Sequence, residues 1–353
     1  MQVMLHQDDA LAWHEKATLQ AIAERFATLD LHGKAEHADK AYIIPTGTLH
    51  DLDEARQLGI VSERDFFGGI VPQPFAGTKA ITHGLVGPDA LATAGWLPAF
   101  PDAVKDVVLA GFTAFSRRDA MLAGERLLQS GPVRLKPVLA RGGTGQVIVT
   151  DRQELEAGLD ALAEPEISEC GLVLEENLND VSTYSVGQLR VADMTVTYCG
   201  TQNVTTDNRG RTVYGGSDLI VARGDYETLM SVRLPQSAMK ATELARTYDE
   251  AADRHIPGFL ASRRNYDVAQ GRRTDGLERF GVLEQSWRIG GASTAEVLAL
   301  EAFHADAELA VVRVASIETY GAGCRPPDGA EVFFQGDDPA TGPMLKFAAV
   351  RSL

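Results

Sequence analysis

The stretch Phe280-Gly-Val-Leu-Glu-Gln-Ser-Trp-Arg-Ile-Gly-Gly291 constrains the chain most, because it reads as a strand delivering a carboxylate, a hydroxyl and a guanidinium in one run. Glu284, Ser286 and Arg288 recur at period two, so an extended backbone points all three to one face. The same alternation predicts Val282 and Phe280 on that face, with Leu283, Gln285 and Trp287 on the other. Gly290 and Gly291 end the strand, and Ser293-Thr-Ala-Glu296 predicts a capping box that opens a helix. An anion beside a cation on a rigid element suits a metal-and-phosphate site. The same residues also describe a half-buried strand with an ordinary Glu/Arg ion pair.

At 353 residues the chain exceeds what one core usually supports, which predicts two or three packed lobes. A formal charge of −16 argues against nucleic acid as a partner. No run is apolar for long enough to span a bilayer, and Met1 to Asp9 has neither the basic start nor the apolar run of a signal peptide, so no membrane partner and a cytoplasmic location are expected. Cys170, Cys199 and Cys324 are scattered and read as reduced thiols. The eight histidines form no HxxxH or HExxH pattern, which argues against catalytic zinc.

Along the chain, Asp8 to Leu29 is predicted as an amphipathic helix, Ala41 to Pro45 as a strand and Leu52 to Leu58 as a helix closed by Gly59. A helical segment is predicted from Thr78, with Lys79 and His83 one turn apart on one face. After a helix from Arg118 to Gln129, the strand Gly131 to Pro137 puts Arg134 and Lys136 opposite Val133 and Leu135. Arg141-Gly-Gly-Thr-Gly145 then forms the tip of a hairpin returning through Gln146 to Thr150. Its backbone N–H groups suit phosphate oxygens while Lys136 supplies a point charge, although glycines are common in hairpins of any purpose. A helix from Gln153 to Ala163 precedes a buried strand, Cys170 to Leu178, that ends in Glu175 and Glu176; buried paired acids call for hydrogen-bonding partners. Strands around an Asp207 to Gly210 turn, a helix from Ser237 to His255, strands at Leu309 to Ala315 and Glu331 to Phe334, and a turn at Gln335 to Pro339 complete the reading. Neither GxGxxG nor a Walker lysine loop is present.

A lysine at a helix start, a lysine before a glycine-rich hairpin, a strand ending Glu-Glu-x-Leu and then Glu-x-Ser-x-Arg resemble, in that order, the ATP-grasp superfamily. The resemblance covers roughly residues 78 to 302. It implies an α+β / α/β chain with the ATP-grasp fold, in which a reduced α/β lobe precedes two α+β lobes that hold ATP between them. The expected division is 1–75, 76–174, 175–305 and 306–353, the last a β extension. By the same resemblance Lys79 and Lys136 reach phosphate oxygens, and Gly142, Gly143, Thr144 and Gly145 form the phosphate-covering loop. Glu175 accepts from the adenine amino group, to which Glu176 offers its carbonyl, and Leu178 gives its N–H to the ring. Asp267 and Glu284 hold Mg²⁺, with Mn²⁺ as an alternative ion, and Arg288 neutralises phosphate charge.

Two positions depart from the pattern. Ser286 stands where Asn usually assists the metal, and Thr183 stands where an acid usually holds the ribose, a role open to Asp180. The implied activity is an ATP- and Mg²⁺-dependent ligase that activates a small-molecule or peptide carboxylate as an acyl phosphate and passes it to an amine acceptor, with Arg288 and Lys136 as catalytic groups. The alternative is a non-catalytic ATP-binding module, or a phosphotransferase, on the same scaffold. A homodimer is compatible with either, and the resemblance supplies no substrate.

Overall fold

The computed structural model describes residues 3–6, 11–29, 41–139 and 145–352, and its layout follows from one long sheet whose two faces are both covered. At the start, β1 (Val3–His6) pairs in parallel with β2 (Tyr42–Pro45). Between them α1 (Trp13–Thr28) buries Leu19, Ile22, Ala23 and Phe26, spaced as one helical face requires. A short α2 (Leu52–Gln57) is capped by Asp51 and leads towards β3 (Gly69–Ile70). No extended helix follows Thr78. Two 3-10 turns, Pro74–Gly77 and Lys79–Ile81, occupy the segment. The carbonyls of Ala76 and Thr78 accept from the Gln285 side chain, so they are drawn out of any continuing helical ladder.

After α3 (Ala99–Val104), the strands β4 (Gly111–Ala114), β5 (Val133–Pro137), β6 (Val147–Val149) and β7 (Leu172–Glu176) form an antiparallel sheet in the order β4-β7-β5-β6. The helices α4 (Arg117–Leu128) and α5 (Arg152–Asp160) cover one face, where Ala123, Leu127, Leu155 and Leu159 meet Val133, Leu135, Leu172 and Leu174. Cys170 does not open the last strand as predicted. It ends α6 (Glu164–Cys170), and Gly171, at φ 92°, makes the left-handed turn into β7.

The long sheet is built from β8 (Asn179–Val191), β9 (Met194–Thr206), β10 (Thr212–Arg223), β12 (Arg263–Arg272), β13 (Glu278–Ser286), β14 (Val311–Tyr320), β15 (Glu331–Asp338) and β16 (Gly342–Arg351). Their order is β13-β12-β8-β9-β10-β14-β16-β15, all antiparallel, so residues 311–351 extend the same sheet. A short β11 (Leu260–Ala261) pairs with β3 and ties the start of the chain to it. The last strands run longer than predicted: β15 continues to Asp338, and its turn begins only at Pro339.

Period-two alternation gives this sheet two distinct faces. On one, Tyr184, Val186, Tyr266, Val268, Val282 and Trp287 pack beneath α7 (Tyr226–Ser231) and α8 (Gln236–His255). On the other, Leu189, Val196, Leu219, Val221 and Val314 pack beneath α1 and α9 (Ser293–Ala305). Ser185, Asn265 and Asp267 continue this second face beyond the apolar patch. No helix among the described residues is long and apolar enough to cross a membrane.

Candidate active site

The pairing of β12 with β13 sets Asp267 opposite Glu284 and Asn265 opposite Ser286. Between Asp267 and Val268 the register slips by one residue, which leaves Leu283 as the extra residue of a bulge. The bulge reverses the strand's phase. Val282 and Trp287 therefore both join the core beneath α8, and Gln285 joins them by accepting from the Tyr248 hydroxyl at 3.1 Å. Phe280 packs against that same core, so Val282 and Phe280 do not share a face with Glu284 as simple alternation predicts. The strand also stops at Ser286. Arg288 lies beyond it in a bend, where its guanidinium donates to the Ile289 carbonyl at 2.8 Å.

Glu284 meets Lys79, whose ammonium lies 2.8 Å from its Oε2 and is only 3% exposed. The bulge accounts for this contact. It turns Gln285 towards the 3-10 segment, where its amide donates to the Thr78 carbonyl at 2.7 Å and fixes the residue just before Lys79. Asp267 accepts from the Gln202 amide at 2.7 Å. Burial, and then the facing charge of Glu284, push the Asp267 carboxyl up to about 7, against the smaller opposing effects of Gln202, Arg263 and Lys79. Two acids thus face each other with their repulsion only partly balanced.

A second ionic cluster lies on the four-stranded sheet. Glu175, 1% exposed, accepts from Lys136 at 2.9 Å on one oxygen and pairs with His83 at 2.8 Å on the other. Burial pushes the Glu175 carboxyl up, but Lys136 and His83 outweigh it and hold it at about 2. Gly111 makes the arrangement sterically possible: it pairs with Glu175, and a Cβ there would stand 2.8 Å from the His83 ring. Lys136 also donates to the Leu283 carbonyl at 3.3 Å, so the bulge links the two sheets. Lys79 and His83, predicted on one helix face, instead serve different carboxylates.

The remaining expected positions surround these clusters. Glu176 accepts from the Ala110 N–H at 2.9 Å and from Arg279 at 3.0 Å, while its own N–H donates to the Ala110 carbonyl. Leu178 packs with Leu109, Ala269 and Leu283 in a small apolar cluster beside the bulge. Thr183 is half-buried opposite Ala269, two residues along the strand from Ser185, which pairs with Asp267. Gly145 is left-handed, at φ 71°, whereas Gly142, Gly143 and Thr144 lie outside the described residues.

One network has no counterpart in the sequence reading. Glu296, predicted as a capping residue, is 0% exposed and caps nothing; the helix instead begins after Ala292 without a side-chain cap. Its carboxylate is gripped by Arg263 through Nε and Nη2, both at 2.8 Å, and accepts from the Tyr198 hydroxyl at 2.5 Å. Gly187 leaves room for that phenol, since a Cβ there would come within 2.4 Å of the hydroxyl. The consecutive arginines 263 and 264 were the available signal. In a strand they must point to opposite faces, and each buried guanidinium needs its own carboxylate; Arg264 takes Asp249 and Asp253 beneath α8.

A family model described as "Protein of unknown function (DUF3182)" matches residues 3–348. The chain belongs to that family. No curated protein sequence matches it. Among solved structures, this DUF3182 chain is similar to carboxyaminoimidazole ribonucleotide synthase from Aspergillus clavatus complexed with ATP, at 12% identity and a TM-score of 0.51, over 99% of this chain and 93% of that one. Weaker likenesses include the biotin carboxylase domain of Hydrogenobacter thermophilus 2-oxoglutarate carboxylase, with 13% identity, a TM-score of 0.49 and coverage of 99% and 86%. Another is D-alanyl-alanine synthetase A from Vibrio cholerae, with 12% identity, a TM-score of 0.48 and coverage of 81% and 88%. The fold is that of the ATP-grasp proteins. Among the described residues no three His, Cys, Asp or Glu side chains gather to cage a metal, so any ion here would rest on two acids and on ligands from elsewhere.

Proposed function

We propose that this protein is an ATP- and Mg²⁺-dependent ligase that activates a carboxylate as an acyl phosphate and joins it to an amine. The reading rests above all on Asp267 facing Glu284 across adjacent strands with its carboxyl driven up to about 7. Opposed acids that repel each other are stabilised by a divalent ion, and Mg²⁺ takes one or two carboxylates and completes its shell with phosphate oxygens and water. Asp267 and Glu284 would hold it, and the ion supplies charge neutralisation at the phosphates. The ATP carried by the Aspergillus clavatus enzyme is consistent with this ligand set.

The chain's own groups have definite tasks in this reading. Lys79 and Lys136, both 3% exposed on their side chains, orient the phosphates, and Arg288 neutralises charge developing during transfer. Two of the three Lys136 donors are engaged by Glu175 and Leu283. In this reading the base lies by Glu175, Glu176 and Leu178, the last packed in the buried apolar cluster with Leu109, Ala269 and Leu283. The substrate carboxylate attacks the terminal phosphorus, the β–γ bridging bond breaks and ADP leaves. The amine then attacks the acyl carbon, inorganic phosphate departs, and the nitrogen gives up its proton. The domain division at 75, 174 and 305 belongs to the same proposal.

Ser286 and Thr183, together with a Glu175 whose two oxygens already have partners, favour as a second reading an ATP-binding module without turnover. A screen of metabolite pools for Mg²⁺-dependent ADP release separates the two. The ligase reading expects release that needs both a carboxylate and an amine and is lost in Glu284→Gln. Tight ATP binding with no release under any pool would overturn it in favour of the module.

A further inference from the structure

The Arg263–Glu296 pair joins β12 of the long sheet to α9, on the sheet face that carries Asp267, and the mechanism above does not use it. Besides gripping Glu296, the Arg263 guanidinium donates through Nη1 to the Ser286 carbonyl at 3.0 Å and to the Arg288 carbonyl. Those carbonyls flank Trp287 where the strand ends and the chain bends, so one planar group spans the transition from Glu284's strand to Arg288. From Glu296 the hydrogen bonds continue through Tyr198 to Asn265, whose amide donates to the Tyr198 hydroxyl at 3.1 Å and to Ser185 at 2.7 Å. Ser185 is the cross-strand neighbour of Asp267, and Asn265 that of Ser286. A buried chain of hydrogen bonds therefore runs from beside one acid to the backbone that carries the arginine. Burying a guanidinium and a carboxylate costs as much desolvation as their attraction returns, so stability alone gives little reason for such a pair. A fork of five donors in fixed geometry is, however, well suited to holding a backbone bend in one shape.

We propose that Arg263, locked by Glu296, is a positioning residue that sets the 286–291 bend, and with it the presentation of Arg288 to the phosphates of the nucleotide. The phosphate half of this inference rests on the ligase or module reading above; the backbone half does not. The test uses the full chain and the double variant Arg263→Met with Glu296→Gln, which removes both charges of the pair together and keeps an acceptor for Tyr198. Three measurements are made: thermal melting, amide hydrogen exchange across 284–292, and MgATP affinity by calorimetry, the last also in Arg288→Met and in the combined triple variant. The expected results are a melting temperature within about 3 °C of the parent and exchange at least about tenfold faster in 286–291 but unchanged in α8. MgATP affinity should fall about tenfold, with no further loss when Arg288→Met is added, because both changes remove one interaction. Unchanged exchange in 286–291 overturns the proposal, as does an affinity loss that adds to that of Arg288→Met. A merely structural pair would lower the melting temperature and quicken exchange throughout the sheet, which also overturns it. If the parent does not bind MgATP, the functional reading fails, and the exchange data alone then decide whether Arg263 sets the bend.

Discussion

Replacing Asp267 by Asn should make the protein more stable while removing its response to Mg²⁺. Burial and the facing charge of Glu284 push the carboxyl up to about 7 in the folded chain against 3.8 for an ordinary Asp. Three units at about 1.4 kcal/mol each set an upper bound of about 4 kcal/mol for the strain that the ionised group imposes at pH 8. Local relaxation and water reduce this to about 1–3 kcal/mol, or about 2–4 °C in melting temperature for a chain of this size. Asn retains an acceptor for the Gln202 amide, so no buried donor is orphaned. The sign of the pH dependence follows from proton binding. Between about pH 4 and 7 the folded Asp267 keeps a proton that the unfolded chain has released, so parent stability falls as pH rises across that window. The gain in Asp267→Asn should therefore be full above about pH 7 and shrink towards about pH 4. Melting curves of both proteins from pH 4 to 8.5, without metal and then with MgATP, measure this directly. A variant less stable than the parent at pH 8, or a gain independent of pH, would refute the reasoning. So would a variant that MgATP stabilises as much as it does the parent.

Other consequences follow from the same geometry. Lys136→Met takes the ammonium away from the buried Glu175 carboxylate and should cost about 3–5 kcal/mol in urea unfolding at pH 8. Because Glu175 is held at about 2, its stabilising contribution is full above about pH 4.5 and disappears as pH falls towards 2; acid unfolding of Lys136→Met should be correspondingly shallower across that window. If the base lies by Glu175, Glu176 and Leu178, thermal-shift titrations should favour ATP over GTP by at least about tenfold, since mismatched buried groups cost about 1–3 kcal/mol each. With Thr183 in place of an acid, rejection of 2′-deoxy-ATP should be shallow, and strong rejection would move the ribose contact to Asp180.

What could be read from the chain alone follows the range of each interaction. Short alternating runs mark β9 and β10 around the turn at Asp207, and the 3.6 period marks α8, because both patterns are local; β8 carries no such mark in the reading and runs from Asn179 to Val191. The pairing that sets Asp267 opposite Glu284 is what the ATP-grasp resemblance implies, and not something that local alternation marks. The bulge at Leu283 is a single extra residue with no sequence signature, yet it decides which side chains accompany Glu284 and turns Gln285 to fix Lys79. Ser-x-x-Glu has a local meaning as a cap, whereas the partner of Glu296, Arg263, lies 33 positions away. His83 and Glu175 are 92 positions apart and meet only because Gly111 lacks a side chain. Contacts of that kind depend on how sheets stack, which no window of sequence contains.

The most direct test of the central claim is calorimetry of ATP binding, with and without Mg²⁺, to the parent and to Glu284→Gln. Gln keeps an acceptor for Lys79 while removing the charge that both pairs with Lys79 and faces Asp267, so the loss of one interaction is offset by relief of the other. The account predicts that Mg²⁺ tightens ATP binding to the parent by at least about tenfold, or about 1.4 kcal/mol, and that Glu284→Gln abolishes this advantage without losing melting temperature. An undiminished Mg²⁺ effect in Glu284→Gln, or a parent that does not bind ATP at all, would contradict it.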